Sequence, residues 1–94
     1  MTDCTGWIVR AVAGRDRDGI FCVVGTDQGR LLLANGKQRK IARPKAKKPS
    51  HVEVLAGRPH GFDHPVIQKL KQGEALSDKE LRRALAAFRD QLEV

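Results

Sequence analysis

Hydrophobic positions alternate in short runs over the first half of the chain and follow a helical stripe over its last part. From Trp7 to Ala13 an extended segment puts Val9, Ala11 and Ala13 on one face and Ile8, Arg10 and Val12 on the other. Gly14 ends that segment. Arg15-Asp16-Arg17-Asp18-Gly19 reads as a polar turn in which Gly19 supplies a positive φ, followed by a second strand from Ile20 to Gly25. Thr26-Asp27-Gln28-Gly29 is a further turn, leading to a strand from Arg30 to Ala34, and Asn35-Gly36 signals another hairpin. A fourth short strand is expected from Gln38 to Ala42. Proline has no amide to give a ladder, so Arg43-Pro44 and Lys48-Pro49 bracket an expected loop before a fifth strand, His51 to Leu55.

Five short strands joined by tight turns predict a mainly β fold, a small five-stranded antiparallel barrel, because closure removes exposed edges. The second strand, Ile20-Phe21-Cys22-Val23-Val24, is apolar on both faces. One face fills the barrel and the other needs a cover. Two C-terminal α-helices packed on the barrel are expected to supply it. Residues 1–56 are read as the barrel, and residues 57–94 as a linker and helical extension of the same folding unit, the linker being marked by Gly57, Pro59 and Gly61. Pro65 suits the first turn of a helix carrying Val66, Ile67 and Leu70, which Gly73 ends. For the second helix, Ser77 and Glu80 form a capping box, and Leu76 and Leu81 hold the positions of a hydrophobic staple. Leu81, Ala84, Leu85, Phe88 and Leu92 then make one apolar stripe.

A chain of 94 residues implies one domain with a small core. Three Phe, one Trp and no Tyr leave Val, Ile, Leu and Ala to build that core, which argues against a deep substrate pocket. No stretch approaches the ~18 apolar residues of a membrane span, and Met1 to Thr5 lack the basic and apolar blocks of a signal peptide. Cys4 and Cys22 are read as free thiols, one near a terminus and one in an apolar strand. A cytoplasmic monomer is the expectation.

Charge adds a direction to this picture. Residues 1–58 carry 12 Lys/Arg against 5 Asp/Glu, a balance of +7, whereas residues 59–94 carry 6 against 6. Lys37, Arg39, Lys40, Arg43, Lys45, Lys47 and Lys48 fall in one acid-free run. Such clustering is the footprint of a phosphate-binding surface, since each cation docked on a phosphate releases condensed counterions. Arg15 and Arg17, on the first turn, are the second candidate group. Aromatic side chains for stacking bases are scarce, so readout by backbone and shape is expected.

The segment from Gly6 to Gly19 followed by the apolar strand to Val24 resembles a KOW motif. More specifically, the chain is similar to the bacterial KOW-domain RNA-binding proteins related to a KOW-bearing large-subunit ribosomal protein of archaea and eukaryotes. Asn35-Gly36 leading into Arg39-Lys40, the Pro44-Lys45 basic loop and His51 add to the resemblance, as does Leu76-Ser77-Asp78-Lys79-Glu80-Leu81 in the tail. One position departs: the usual KOW glycine would fall at Asp18, with Gly19 next door. The resemblance implies an SH3-like barrel that binds structured RNA, above all ribosomal RNA, with ribosomal proteins as further partners and no cofactor. The implied RNA-binding residues are Arg15, Arg17, Lys37, Arg39, Lys40, Arg43, Lys45, Lys47, Lys48 and His51. A rival reading exists, because KOW domains of NusG-type transcription factors contact proteins. It makes this chain an adaptor on the ribosome or the transcription machinery, docking through the Leu81 to Leu92 helix.

Enzymatic and metal chemistry are not expected. His51, His60 and His64 with Asp63 lack zinc-finger spacing and any cysteine pair. Asp16 and Asp18, flanked by Arg15 and Arg17 on one exposed turn, suit turn formation and arginine orientation better than acid/base work. No glycine-rich nucleotide loop occurs.

Overall fold

The computed structural model describes residues 4–57 and 64–92. The linker's Pro59 and Gly61, together with His60 and Asp63, lie outside them. Five strands, β1 (Ile8–Ala11), β2 (Ile20–Asp27), β3 (Arg30–Ala34), β4 (Lys45–Lys47) and β5 (Val52–Ala56), form one antiparallel sheet in the order β4-β3-β2-β1-β5. Two helices follow, α1 (Pro65–Lys71) and α2 (Asp78–Leu92).

The sheet is open, which corrects the expectation of a closed barrel: β4 and β5 are its two edges and do not pair with each other. It is nevertheless strongly coiled. Only Lys48 and the 3-10 turn Pro49–His51 join the two edges. In a flat sheet those edges would stand about 19 Å apart, and a 3-10 turn rises only about 2 Å per residue. One bond marks where the β4 edge swings back over the sheet: Lys47 Nζ donates to the Ala13 carbonyl, just past β1, at 2.7 Å. The Val12 amide, donating to the His51 carbonyl at 2.9 Å, continues the β1–β5 pairing one residue past Ala11 and Val52. The edges are protected by other means than closure, since β4 is three residues long, carries two lysines and is flanked by Pro44 and Pro49.

The two-sided character expected of β2 is found. On the outer side Ile8, Cys22, Ala34 and Ala56 pack against Ile67, Leu81, Leu85 and Phe88 of the helices. On the concave side Val9, Ala11, Phe21, Val23, Leu31 and Leu33 make a second core, with Trp7 and Val52 packed against it. Leu92 departs from the expected stripe. It is 48% exposed, because the last turn of α2 extends past the apolar surface that buries Leu81, Ala84, Leu85 and Phe88.

Helix ends follow their local signals. The Glu80 amide donates to Ser77 Oγ and the Ser77 amide to Glu80 Oε1, closing the capping box. At the end of α1, the Gly73 amide bonds the Leu70 carbonyl and the Glu74 amide that of Lys69, with Gly73 at φ 78°, a Schellman arrangement. Lys69 Nζ donates to Glu80 Oε2 at 2.7 Å and ties α1 to α2. That bond raises the lysine's pKa and, with the Ser77 bonds, lowers that of the glutamate.

Four local expectations are corrected. β1 stops at Ala11 and β5 starts at Val52, so Ala13 and His51 lie outside the ladder. β2 runs on to Asp27, because Gln28 (φ 50°) and Gly29 (φ 79°) alone make a two-residue turn whose positive φ values match the strand twist. Within the Arg15 to Gly19 turn the left-handed residue is Asp18 (φ 71°), not Gly19. Gly19 is required for space instead: a Cβ there would sit 2.7 Å from the Phe21 ring.

The fourth correction concerns the basic run. Gln38 to Ala42 form no strand, and β4 lies inside the expected loop at Lys45–Lys47, paired with Leu31 to Leu33. Side chains take up the segment's backbone donors. Asn35 Oδ1 accepts from the Lys37 and Arg39 amides, and Asp78 Oδ1 accepts from the Ile41 amide. An Asn that captures its own downstream amides competes with a ladder and wins here.

Candidate nucleic-acid interface

In an antiparallel sheet of this order, the β1–β2 and β3–β4 connections leave from the same end, and the β2–β3 turn from the other. The turn bearing Arg15 and Arg17 and the loop bearing Lys37 to Arg43 are therefore neighbours. They are also bonded. Arg39 Nε and Nη2 donate to the two Asp16 oxygens at 3.2 and 3.0 Å, the side chains being 32% and 13% exposed. This fork is the joint between the two basic connections. It turns Asp16 inward while Arg15 and Arg17 stay exposed on either side of it.

The candidate cations divide into two kinds. Arg15, Arg17, Lys37, Lys40, Arg43, Lys45, Lys48 and His51 are exposed. Arg39 and Lys47 are held within the fold. Arg39 is balanced by Asp16. Lys47 is only 8% exposed, and its cross-strand partner is Leu31 of the concave core, so its stem leaves β4 over apolar side chains and its ammonium reaches the Ala13 carbonyl. Both residues build the surface rather than present charge on it.

Three concave spaces lie among these cations. A groove of about 310 Å³ between the β1–β2 turn and α2 is lined by Arg15, Arg17 and Arg89 together with Asn35, Gln38 and Asp16, whose carboxylate is occupied by Arg39. An adjoining depression of about 180 Å³ adds Lys37 and Arg82. A third, about 200 Å³, follows the β4 edge and is lined by Arg30, Lys45, Lys47, Lys48 and His51. These spaces are shallow and cationic, suited to a polyanion's backbone rather than to an enclosed small molecule.

Arg30, Arg82 and Arg89 are absent from the sequence-derived set. Arg82 and Arg89 belong to the charge-balanced part of the chain, where no excess marks them. Their spacing of seven residues, two helical turns, is the signal that puts them on one face of α2. Arg82 Nη1 donates to the Gly36 carbonyl at 2.7 Å, fastening the helix to the β3–β4 loop. Gly36, at φ 77°, has no room for a Cβ, which would collide with the Asp78 carbonyl.

Cys4 and Cys22 are free thiols, and burial pushes the Cys22 thiol up to about 12, against a smaller opposing effect of Lys71. Among the described residues, no three His, Cys, Asp or Glu side chains are grouped to hold a metal ion. No helix among them is long and apolar enough to cross a membrane. No protein-family model matches the sequence. No curated protein matches it significantly.

Proposed function

We propose that this protein is an RNA-binding module of the KOW type that grips structured RNA, foremost ribosomal RNA, by its phosphate backbone. The Asp16–Arg39 fork carries this reading, because it unites two basic connections, far apart in sequence, as one cationic end of the sheet. Exposed guanidinium and ammonium groups there suit phosphate oxygens. The positive φ at Asp18, the position where a KOW motif has its glycine, supports the family reading. So do the coiled sheet and the 3-10 turn before β5, which agree with an SH3-like core.

The adaptor alternative needs an apolar face on α2. Leu81, Ala84, Leu85 and Phe88 are buried in the core, so the observation favours RNA. Free thiols agree with a reducing cytoplasmic compartment.

Binding to a labelled RNA hairpin, followed by filter retention, tests the proposal. With about five phosphate contacts, affinity falls roughly 500-fold between about 50 and 200 mM salt. Replacing Arg15, Arg17 and Arg43 together by Glu removes most of that dependence and releases the protein from ribosomes in sedimentation. An affinity that stays flat across that salt range refutes the proposal.

A further inference from the structure

We infer that α2 carries part of the RNA surface: Arg89, with Arg15 and Arg17, forms one phosphate-binding groove, so that the backbone crosses from the β1–β2 turn onto the helix. This rests on the RNA reading above and extends it to a residue outside the basic half of the chain. Arg89 lines both the 310 Å³ groove shared with the turn and the 180 Å³ depression shared with Lys37 and Arg82. It is the cation common to the two spaces, and it stands where a backbone passing from one to the other must run.

The helix cannot slide away from the turn without cost, because its N-terminal part is interlocked with the β3–β4 loop. Asp78 accepts the Ile41 amide, Arg82 holds the Gly36 carbonyl, and Gly36 packs against Asp78 with no space for a side chain. The loop in turn is forked to Asp16 through Arg39. Arg89 is thus placed against Arg15 and Arg17 by a chain of bonded contacts, the preorganisation that a polyanion site needs. Arginine, rather than lysine, on all three positions favours forked recognition of phosphate oxygens.

The test compares Arg89→Glu with Arg83→Glu, an equal change of charge on a face of α2 about 100° away from Arg82. Binding of the full chain to the same labelled hairpin is titrated at graded salt. Arg89→Glu is expected to weaken binding and lower the slope of log affinity against log salt by about 0.7 to 0.9, while Arg83→Glu leaves that slope near the parent value. Arg89→Ala, milder toward the fold, should lower the slope in the same way with an unchanged melting temperature. Equal effects of the Arg89 and Arg83 variants, with the parent protein still binding, overturn the inference alone. A parent protein that shows no salt-dependent binding overturns the RNA reading and this inference with it.

Discussion

The two faces of the sheet are sealed in different ways. Outside, Ile8, Cys22, Ala34 and Ala56 are covered by a separate apolar element, the helical stripe of Leu81, Ala84, Leu85 and Phe88. Inside, the sheet curls over its own side chains, and a buried lysine, Lys47, stands opposite Leu31 of that core and bonds the Ala13 carbonyl. The first seal is made by apolar area and pinned at its margin by the Asp78 and Arg82 bonds to the β3–β4 loop. The second combines packing by a methylene stem with a hydrogen bond from a cation, which is how one residue of a basic run comes to serve the core.

The largest effect that separates the two seals is expected on the outer side. Leu85→Ala should lower stability by about 2 to 5 kcal/mol, measured by chemical denaturation, since it opens a cavity between α2 and the sheet. A cost below about 1 kcal/mol would mean that the helix merely drapes over the strands. On the concave side Lys47→Ala should cost about 1 to 3 kcal/mol, whereas Lys47→Met, which keeps the stem, should recover more than half of that loss. If methionine proves as damaging as alanine, the hydrogen bond to Ala13 outweighs the packing.

Cys22 gives the outer core a pH response. Its folded-state pKa is raised from an ordinary 9.0 to about 12, so the protonated thiol contributes stability that is whole below pH 9 and is lost as pH rises toward 12. In that window the unfolded chain releases a proton that the folded protein keeps. Denaturation midpoints measured from pH 8.5 upward should decline more gently in Cys22→Ala than in the parent protein; identical declines would mean that the thiol is not shielded by the helices.

The smallest effect belongs to the β1–β2 turn. Asp18→Gly relieves a left-handed backbone conformation and should stabilise by about 0.5 to 1 kcal/mol. It also removes an exposed carboxylate beside Arg17, so under the proposed function RNA affinity should rise slightly. A destabilised Asp18→Gly variant would show that the aspartate side chain supports the turn.

Elements with local causes were readable in the sequence. Ser77 and Glu80 announce a capping box, Pro65 and Gly73 bound a short helix, and the alternation of Val9 and Ala11 against Ile8 assigns β1 its two faces. β4 was not readable, because Lys45-Ala46-Lys47 has no apolar alternation and takes its register from Leu31 to Leu33. Nor was the fate of Gln38 to Ala42, where the side chains of Asn35 and Asp78 take amides that a ladder would have used. Asp18 and Gly19 exchanged roles, since only the position of the Phe21 ring shows that Gly19 is needed for space.

The candidate interface divides along the same line. Which residues carry charge, and that the first half of the chain holds the excess, follow from composition, as does the presence of an apolar helix to cover β2. Which cations reach solvent was decided by tertiary structure alone. Arg39 is spent on Asp16 and Lys47 on Ala13, while Arg89 joins Arg15 and Arg17 from the other end of the chain. Periodicity and capping act over a few residues and leave their mark in local order; the neighbours of a charge are set by the coiling of the sheet and the docking of α2, which bring together residues with no relation along the chain.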